Sequence, residues 1–442
     1  LADNAVVQIG NGIDPATGIG DGRDVSINNV NGVNLTSDAP ADQAFEIFYN
    51  PAPEALAIGA NQRTQITSGV ENSLDDWSVL IAGSGGAAIG AAGSGNLILS
   101  RAETTLNSSN ITALTDVMLG ADVASTINTT TLGLSAATAA GSASVGYSRV
   151  RSDAQLNLSG ARVSAGRDAA LRSDNRNTIH TRTGVVAAGK VAGAGAAVTN
   201  VIAGTSTVTL GAITTLRRFV EQQPVEDSDT TDTSTEEVIR EEPAVVTSNI
   251  VAGGRADVSA ESAATVSNTT VSGGLGAAAA AFSVAVNLID TETKVVIGAG
   301  QAVNADDIRV RAFEETTITD LVGAGAAAAG AFGGSVNYVD FNGGTTVEIG
   351  DGATLSAVNG LSVDALADRT IDTQLGVATV AAGSLSAVVS VINVDGSAGE
   401  GSSAAQATID QAQVALSEDQ LANASGTGLI DATCANSSVA QN

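Results

Sequence analysis

The sequence predicts an all-β protein, a parallel β-helix (β-solenoid) with a repeat of about 52 residues. Three observations predict it. Prolines stand only at 15, 40, 51, 53, 224 and 243, leaving 54–223 and 244–442 free of them. Proline lacks the N–H that a β ladder needs, so long proline-free stretches suit continuous strand pairing. Two columns of residues recur along the chain with one spacing. Aromatic residues make up only 2% of 442 residues while Gly reaches 50, so the interior has to be narrow and built of Ala, Val, Ile and Leu.

The repeat is read first from an apolar residue preceded by Thr: Thr126-Ile127, Thr178-Ile179, Thr265-Val266, Thr317-Ile318 and Thr370-Ile371, spaced 52, 87, 52 and 53. A second column is taken as Asn96, Tyr147, Asn200, Asn287, Asn337 and Ser390, spaced 51, 53, 87, 50 and 53. Both show one excess of about 35 residues at the same place, which marks an insertion in a true repeat.

Each unit opens with a Gly/Ala run such as 323–330. An apolar strand follows, as in Ser283–Ile289 or Ser335–Val339. A β-branched strand ending in Gly comes next, as in 294–298 and 346–350, and Val6–Gly12 matches it. The last strand, Ile308–Ala312 or Leu361–Ala365, alternates apolar and polar, the period of a half-buried strand. Coils in such folds commonly take about 20–30 residues, so the unit is expected to hold two coils and the whole rod to reach about 80 Å. The alternative for the Ala runs is short helices, since Ala is the best helix former. Leu321–Val339 carries no charge and is long enough for a membrane span, but it is Ala/Gly-rich and recurs along the chain.

The expected organisation runs as follows. Residues 1–77 form an N-terminal β segment with an excursion that holds Pro40, Pro51, Pro53 and the aromatic cluster Phe45, Phe48 and Tyr49. Residues 78–215 and 250–415 are solenoid repeats. Between them, 216–249 carries nine acidic and three basic residues with two prolines, the composition of a disordered acidic loop. Residues 416–442 lose the strand pattern and read as a C-terminal tail. A first residue of Leu in place of Met reads as a processed product or a fragment.

Charge and chemistry narrow the function. With 19 basic against 47 acidic residues the net charge is −28, which repels nucleic acid. Catalytic, cofactor-binding and metal-binding residues are expected to be absent. His180 is the one histidine and reads as an exposed turn residue; Cys434 is the one cysteine, too far away to join it in a zinc site. The acidic pairs Asp75-Asp76, Asp306-Asp307 and Glu314-Glu315 would serve glycoside cleavage only if the fold set two carboxylates across a sugar site. Asp21-Gly22, Asp351-Gly352 and Asp395-Gly396 read as turns rather than calcium loops, leaving at most loosely bound calcium. Thr129–Thr131 and Thr205–Thr209 lack the regular column that an ice-binding face requires.

The unit resembles the repeats of large exported bacterial adhesins, the filamentous-haemagglutinin group and the leukotoxin-like β-repeat exoproteins. The residues that carry the resemblance are Ser283–Ile289, Val296–Gly300 and Val303–Ala312, repeated in Ser335–Val339, Val347–Gly352, Leu355–Ala357 and Leu361–Ala365. The resemblance implies a right-handed parallel β-helix, export to the bacterial cell surface, and a role in adhesion or in a structural filament without enzymatic activity. Implied partners are other copies of the chain through end-to-end or lateral contacts, and a host or neighbouring cell surface or glycan. Two other readings stand beside it: a carbohydrate-cleaving β-helix, favoured by pocket carboxylates, and a leukotoxin-like membrane-active protein, favoured by exposed apolar Ala/Gly faces.

Overall fold

In the computed structural model, side chains are described for 63–215 and 243–394, together with the backbone of strands flanking these segments. The described residues form strands and turns, with no helix. The Ala/Gly runs are strand: the run at 323–330 finishes the strand Ala302–Ala327, crosses a turn at 328–329, and enters the strand Gly330–Ile349. Among the described residues no helix is long and apolar enough to cross a membrane, and Leu321–Val339 is divided between the two sheets.

Two parallel sheets make the body. The front sheet holds Ala87–Asn107, Ala139–Ser159, the first part of Val191–Val225, Ala278–Ile297, Gly330–Ile349 and Gly383–Asp395. The back sheet holds Leu56–Gly83, Ser109–Ala136, Ala169–Ala188, Arg255–Leu275, Ala302–Ala327 and Thr354–Val380, with the short strands Arg162–Ala165 and Asn249–Ala252 completing two of its rows. The chain passes from one sheet to the other and back, and each strand pairs in parallel with the strand one unit further on. This in-register stacking is consistent with a β-solenoid.

The register corrects the expected two coils per unit. Ala139 pairs with Ala87 on one side and Val191 on the other, each 52 residues away, so one unit is one coil. The stack is therefore shallow and wide. Six layers at about 4.8 Å span roughly 29 Å, while a strand of about 21 residues extends roughly 70 Å. The expected 80 Å rod is replaced by a broad slab.

The Thr/Ile column holds throughout: Ile127, Ile179, Val266, Ile318 and Ile371 stand in one row across the back sheet, after Leu74. Facing them is the front-sheet row Ile98, Val150, Ile202, Ile289 and Phe341. These rows form one core cluster, and burying each such side chain contributes about 1.5–3 kcal/mol. A larger aliphatic cluster fills one end of the slab, with Leu106, Leu158, Leu210, Ile297 and Ile349 as one of its rows. An Ala-built cluster fills the other, where the sheets turn over two or three small residues.

The second column is corrected by the register. Asn96, Ser148, Asn200, Asn287 and Val339 share a row. Tyr147 points outward beside that row, and Asn337 lies one inward position away, paired with Ala285. Inward polar residues are hydrogen-bonded across the coils: Asn96 donates to Thr129 at 2.7 Å, Thr181 to Asn200 at 2.8 Å, and Asn200 to Asn287 at 3.0 Å. Polar layers thus alternate with apolar ones inside the slab.

The corners have a backbone reason. At the aliphatic end, Ser108, Gly160, Gly300 and Gly352 adopt positive φ, which Gly reaches at least cost. At the Ala end, a Cβ on Gly189 would lie 2.2 Å from the Ala137 carbonyl oxygen, so only Gly fits under the preceding coil. Asp351-Gly352 is a turn, as expected.

The insertion also differs from expectation. Strand Val191–Val225 runs on past the sheet, and Ser234–Thr247 returns along it antiparallel from Val225↔Ser234 to Ala212↔Thr247. The flanks of the acidic segment are thus a paired hairpin, where composition suggested disorder. The register sets Arg217 opposite Glu242 and Arg218 opposite Glu241. Residues 226–233 lie outside the described residues. The hairpin starts and ends at one corner: the Ser248 hydroxyl accepts from the Ala161 N–H at 3.1 Å and donates to the Gly211 carbonyl at 2.8 Å.

The N-terminal boundary moves too. Parallel pairing in the back sheet begins at Leu56↔Ser109, ahead of residue 78. Ala2–Gly10 pairs with Leu99–Asn107, as the match of Val6–Gly12 to the repeat anticipates. Phe45 and Tyr49 of the excursion lie outside the described residues, as do 417–437 of the tail and Cys434.

Candidate functional site on the outer face of the back sheet

Charged outward residues gather on the back sheet around Asp174. Beside them Ala256–Ala260 are all buried, so this stretch of strand is covered on both faces. A groove of about 640 Å³ results, lined by residues including Asp122, Asp174, Glu261, Arg172 and Arg176.

The three acids form one row. Asp122 pairs with Asp174, and Asp174 with Glu261, so their side chains leave adjacent strands about 4.8 Å apart on the same face. Gly69 starts the row, and Phe313 and Leu366 continue it beyond Glu261. The arginines come from neighbouring rows: Arg176 pairs with Asp174, and Arg172 reaches the mostly buried Asp257 at 3.3 Å. Arg311 stands 4.2 Å over the Phe313 ring and takes one of its faces.

Burial and proximity alter the acids. The Asp174 carboxyl is pushed up to about 6, chiefly by loss of hydration; Arg176 pulls it down, and Asp122 and Glu261 push it further up. Asp122 is raised by burial against the pull of Arg176 and Arg172. Outside the groove, Asp116 is held below the usual carboxylate range by Arg167, which donates to it at 2.8 and 2.5 Å. Carboxyl and guanidinium groups thus stand side by side in the groove, offering hydrogen-bond acceptors and donors together.

The residues singled out in the sequence lie elsewhere. His180 is exposed as expected, but it sits mid-strand, opposite Asn128 and Ser267, and not in a turn. Asp75 and Asp76 lie on the first back-sheet strand, and Asn128 donates to Asp75 at 2.7 Å. Asp306-Asp307 marks a register shift within the strand Ala302–Ala327. Glu314 is fully buried and points between the sheets, where Arg369 meets it at 3.4 Å, Thr345 donates to it at 3.2 Å, and Thr291 donates as well. Arg369 in turn lies 4.1 Å over the Phe341 ring. Glu315 is exposed on the opposite side of that strand, so the two acids of the pair face different surroundings.

No grouping of three or more His, Cys, Asp or Glu side chains able to hold a metal occurs among the described residues. The groove acids were not apparent as single residues, yet their spacings of 52 and 87 are those of the Thr/Ile column. Projecting the repeat onto the charged positions is the signal that would have found them. In comparisons with family models, curated proteins and solved structures, nothing matches the chain.

Proposed function

We propose that the chain is an extracellular β-solenoid segment of a large bacterial surface protein or fibre, with a structural and adhesive role and no turnover. The observation that carries this reading is the continuous register of the front-sheet stack. Row after row pairs over successive coils, and the interior alternates apolar and hydrogen-bonded polar layers. Such a body is a rigid support with wide faces, the property an adhesive or spacing element needs. Resemblance to filamentous-haemagglutinin-type repeats supports the same role and a right-handed coil. The test is retention of the purified chain on cells and on immobilised glycans. Retention that survives His180→Ala and Cys434→Ser is expected; failure to bind any such surface overturns the adhesive part.

A second reading is favoured by one observation, the row Asp122, Asp174 and Glu261 beside Arg172 and Arg176. Carboxyl side chains borne on strands about 5 Å apart, one of them with its pKa raised to about 6, are the kind of pair that glycoside cleavage uses. Incubation with a polysaccharide panel decides between the readings. Release of reducing or unsaturated ends that is lost in Asp174→Asn establishes the enzyme.

A further inference from the structure

The front sheet presents an outer face of unusual composition at the Ala end of the slab. Its outward rows start at Ala87, Ile89, Ala91, Gly93 and Gly95 and run across six strands without a charged residue. The large side chains on it stand free: Val145 is 53% exposed, Phe282 52%, Phe332 53% and Leu385 67%. Between them the rows hold Gly and Ala, so the face is smooth with a few ridges. The Phe282 ring lies over Gly334, where a Cβ would come within 2.9 Å of it. Five outward rows over six strands cover about 30 by 24 Å, roughly 700 Å². That exceeds the apolar patch of an ordinary monomer and is close to the roughly 800 Å² that each partner gives to a stable interface.

We propose that this face is the seat of a second copy of the chain, packed sheet against sheet. This deepens the structural reading above by naming which surface the copies share. The second copy is favoured over lipid by two observations. The strand Gly383–Asp395 pairs on one side only among the described residues, and an open sheet edge carries backbone groups that hydrocarbon cannot satisfy. The net charge of −28 also repels an anionic bilayer. A second sheet, by contrast, covers the apolar rows while leaving the edge in water. Small side chains let two such sheets approach closely, and a self-complementary patch closes as a two-fold dimer. The acidic groove lies on the other sheet and stays open in that dimer. Because each copy is strongly acidic, association strengthens as salt screens their repulsion.

Sedimentation equilibrium of the full chain tests this, with Val145→Lys and Ala197→Lys as variants on adjacent strands of the same row. Both positions face outward, so dichroism and melting of the variants should match the parent. The expected result is a parent dimer that tightens with salt and is weakened roughly 100-fold or more by either lysine, the effect of burying an unpaired charge. A parent that is monomeric throughout overturns the proposal. So does an association indifferent to both lysines, which is the mark of end-on stacking, or one lost only in Val186→Lys on the back sheet. Partition of a monomeric parent into neutral phosphatidylcholine vesicles identifies lipid as the occupant and overturns it too. Surface retention is measured separately. A lysine variant that no longer dimerises but still binds cells supports the shared face and leaves the adhesive role standing, whereas loss of retention in a parent that dimerises sinks the adhesive role alone.

Discussion

Asn287 donates to both carboxylate oxygens of Asp320, at 2.9 and 2.8 Å, between two sheets that bury both residues. Asn337 from the next coil adds a third contact at 3.1 Å. Burial pushes the Asp320 carboxyl up, and hydrogen bonds from Asn287, Asn337 and Asn268 pull it down. Asn287→Ala removes the two closest contacts from a buried acid. A loss of about 1.5–3 kcal/mol is expected from a hydrogen bond to a charged group, read as a lower urea midpoint. An unchanged midpoint would show that water replaces the amide without cost.

The groove acids make stability depend on pH. The folded pKa of Asp174, about 6, lies above its ordinary value of 3.8, so the folded state holds this proton more tightly than the unfolded chain. The group therefore leaves stability intact below the ordinary value and reduces it as pH rises through about 6. Melting temperature should rise when pH is lowered from 7.5 to about 5. Asp174→Asn should raise the melting temperature at pH 7.5 and narrow the difference between the two pH values. The effect is moderated by solvent, since the site is an open groove.

Ile179 stands in the middle of the back-sheet row, fully buried between Ile127 and Val266 and facing the front-sheet core. Ile179→Ala is expected to cost about 2–5 kcal/mol, because the coils above and below prevent collapse into the cavity. Val186→Ala, on the outer face, should change stability by about 0.5 kcal/mol or less. Equal effects at the two sites would contradict the assignment of inner and outer faces.

The corner at Ser248 predicts that the hairpin is dispensable and its anchor is not. Thr215 stands opposite Ala244, so a short Gly/Ser turn can join them in place of 216–243. That deletion should retain the far-ultraviolet β spectrum and lower the melting temperature only slightly. Ser248→Ala leaves the Ala161 N–H without its hydroxyl partner and should cost about 1–3 kcal/mol. A deletion that unfolds the chain would make the hairpin part of the core.

Much of the architecture is legible in the sequence, and the lapses have physical causes. The Thr/Ile column is visible because Ile127, Ile179 and Ile318 are large, inward and flanked by polar residues. The Asn column slips at Tyr147 and Asn337 because the Gly/Ala runs beside it offer no large side chain to fix the phase. The coil size is misread because inward Asn, Ser and Thr interrupt the apolar alternation. One strand such as Ala139–Ser159, with Ser144, Ser148 and Ser152 inward, then looks like several short ones. Turns as brief as Gly276-Ala277 add no punctuation distinct from the strand around them. The acidic groove is invisible for a different reason: its depth and the burial of its acids arise from packing, while only the alignment of Asp122, Asp174 and Glu261 follows from the repeat.

One coil per 52 residues has a mechanical consequence. Bending stiffness grows steeply with the dimension lying in the plane of bending. Each layer is roughly 70 Å along the strands, but the two sheets are set only about 10 Å apart. A stack of such layers is a plank rather than a cable. It resists flexing within the plane of its sheets and yields by twisting or by bowing across them. Each inserted unit lengthens the plank by about 4.8 Å without altering its cross-section, so reach and lateral stiffness can vary independently.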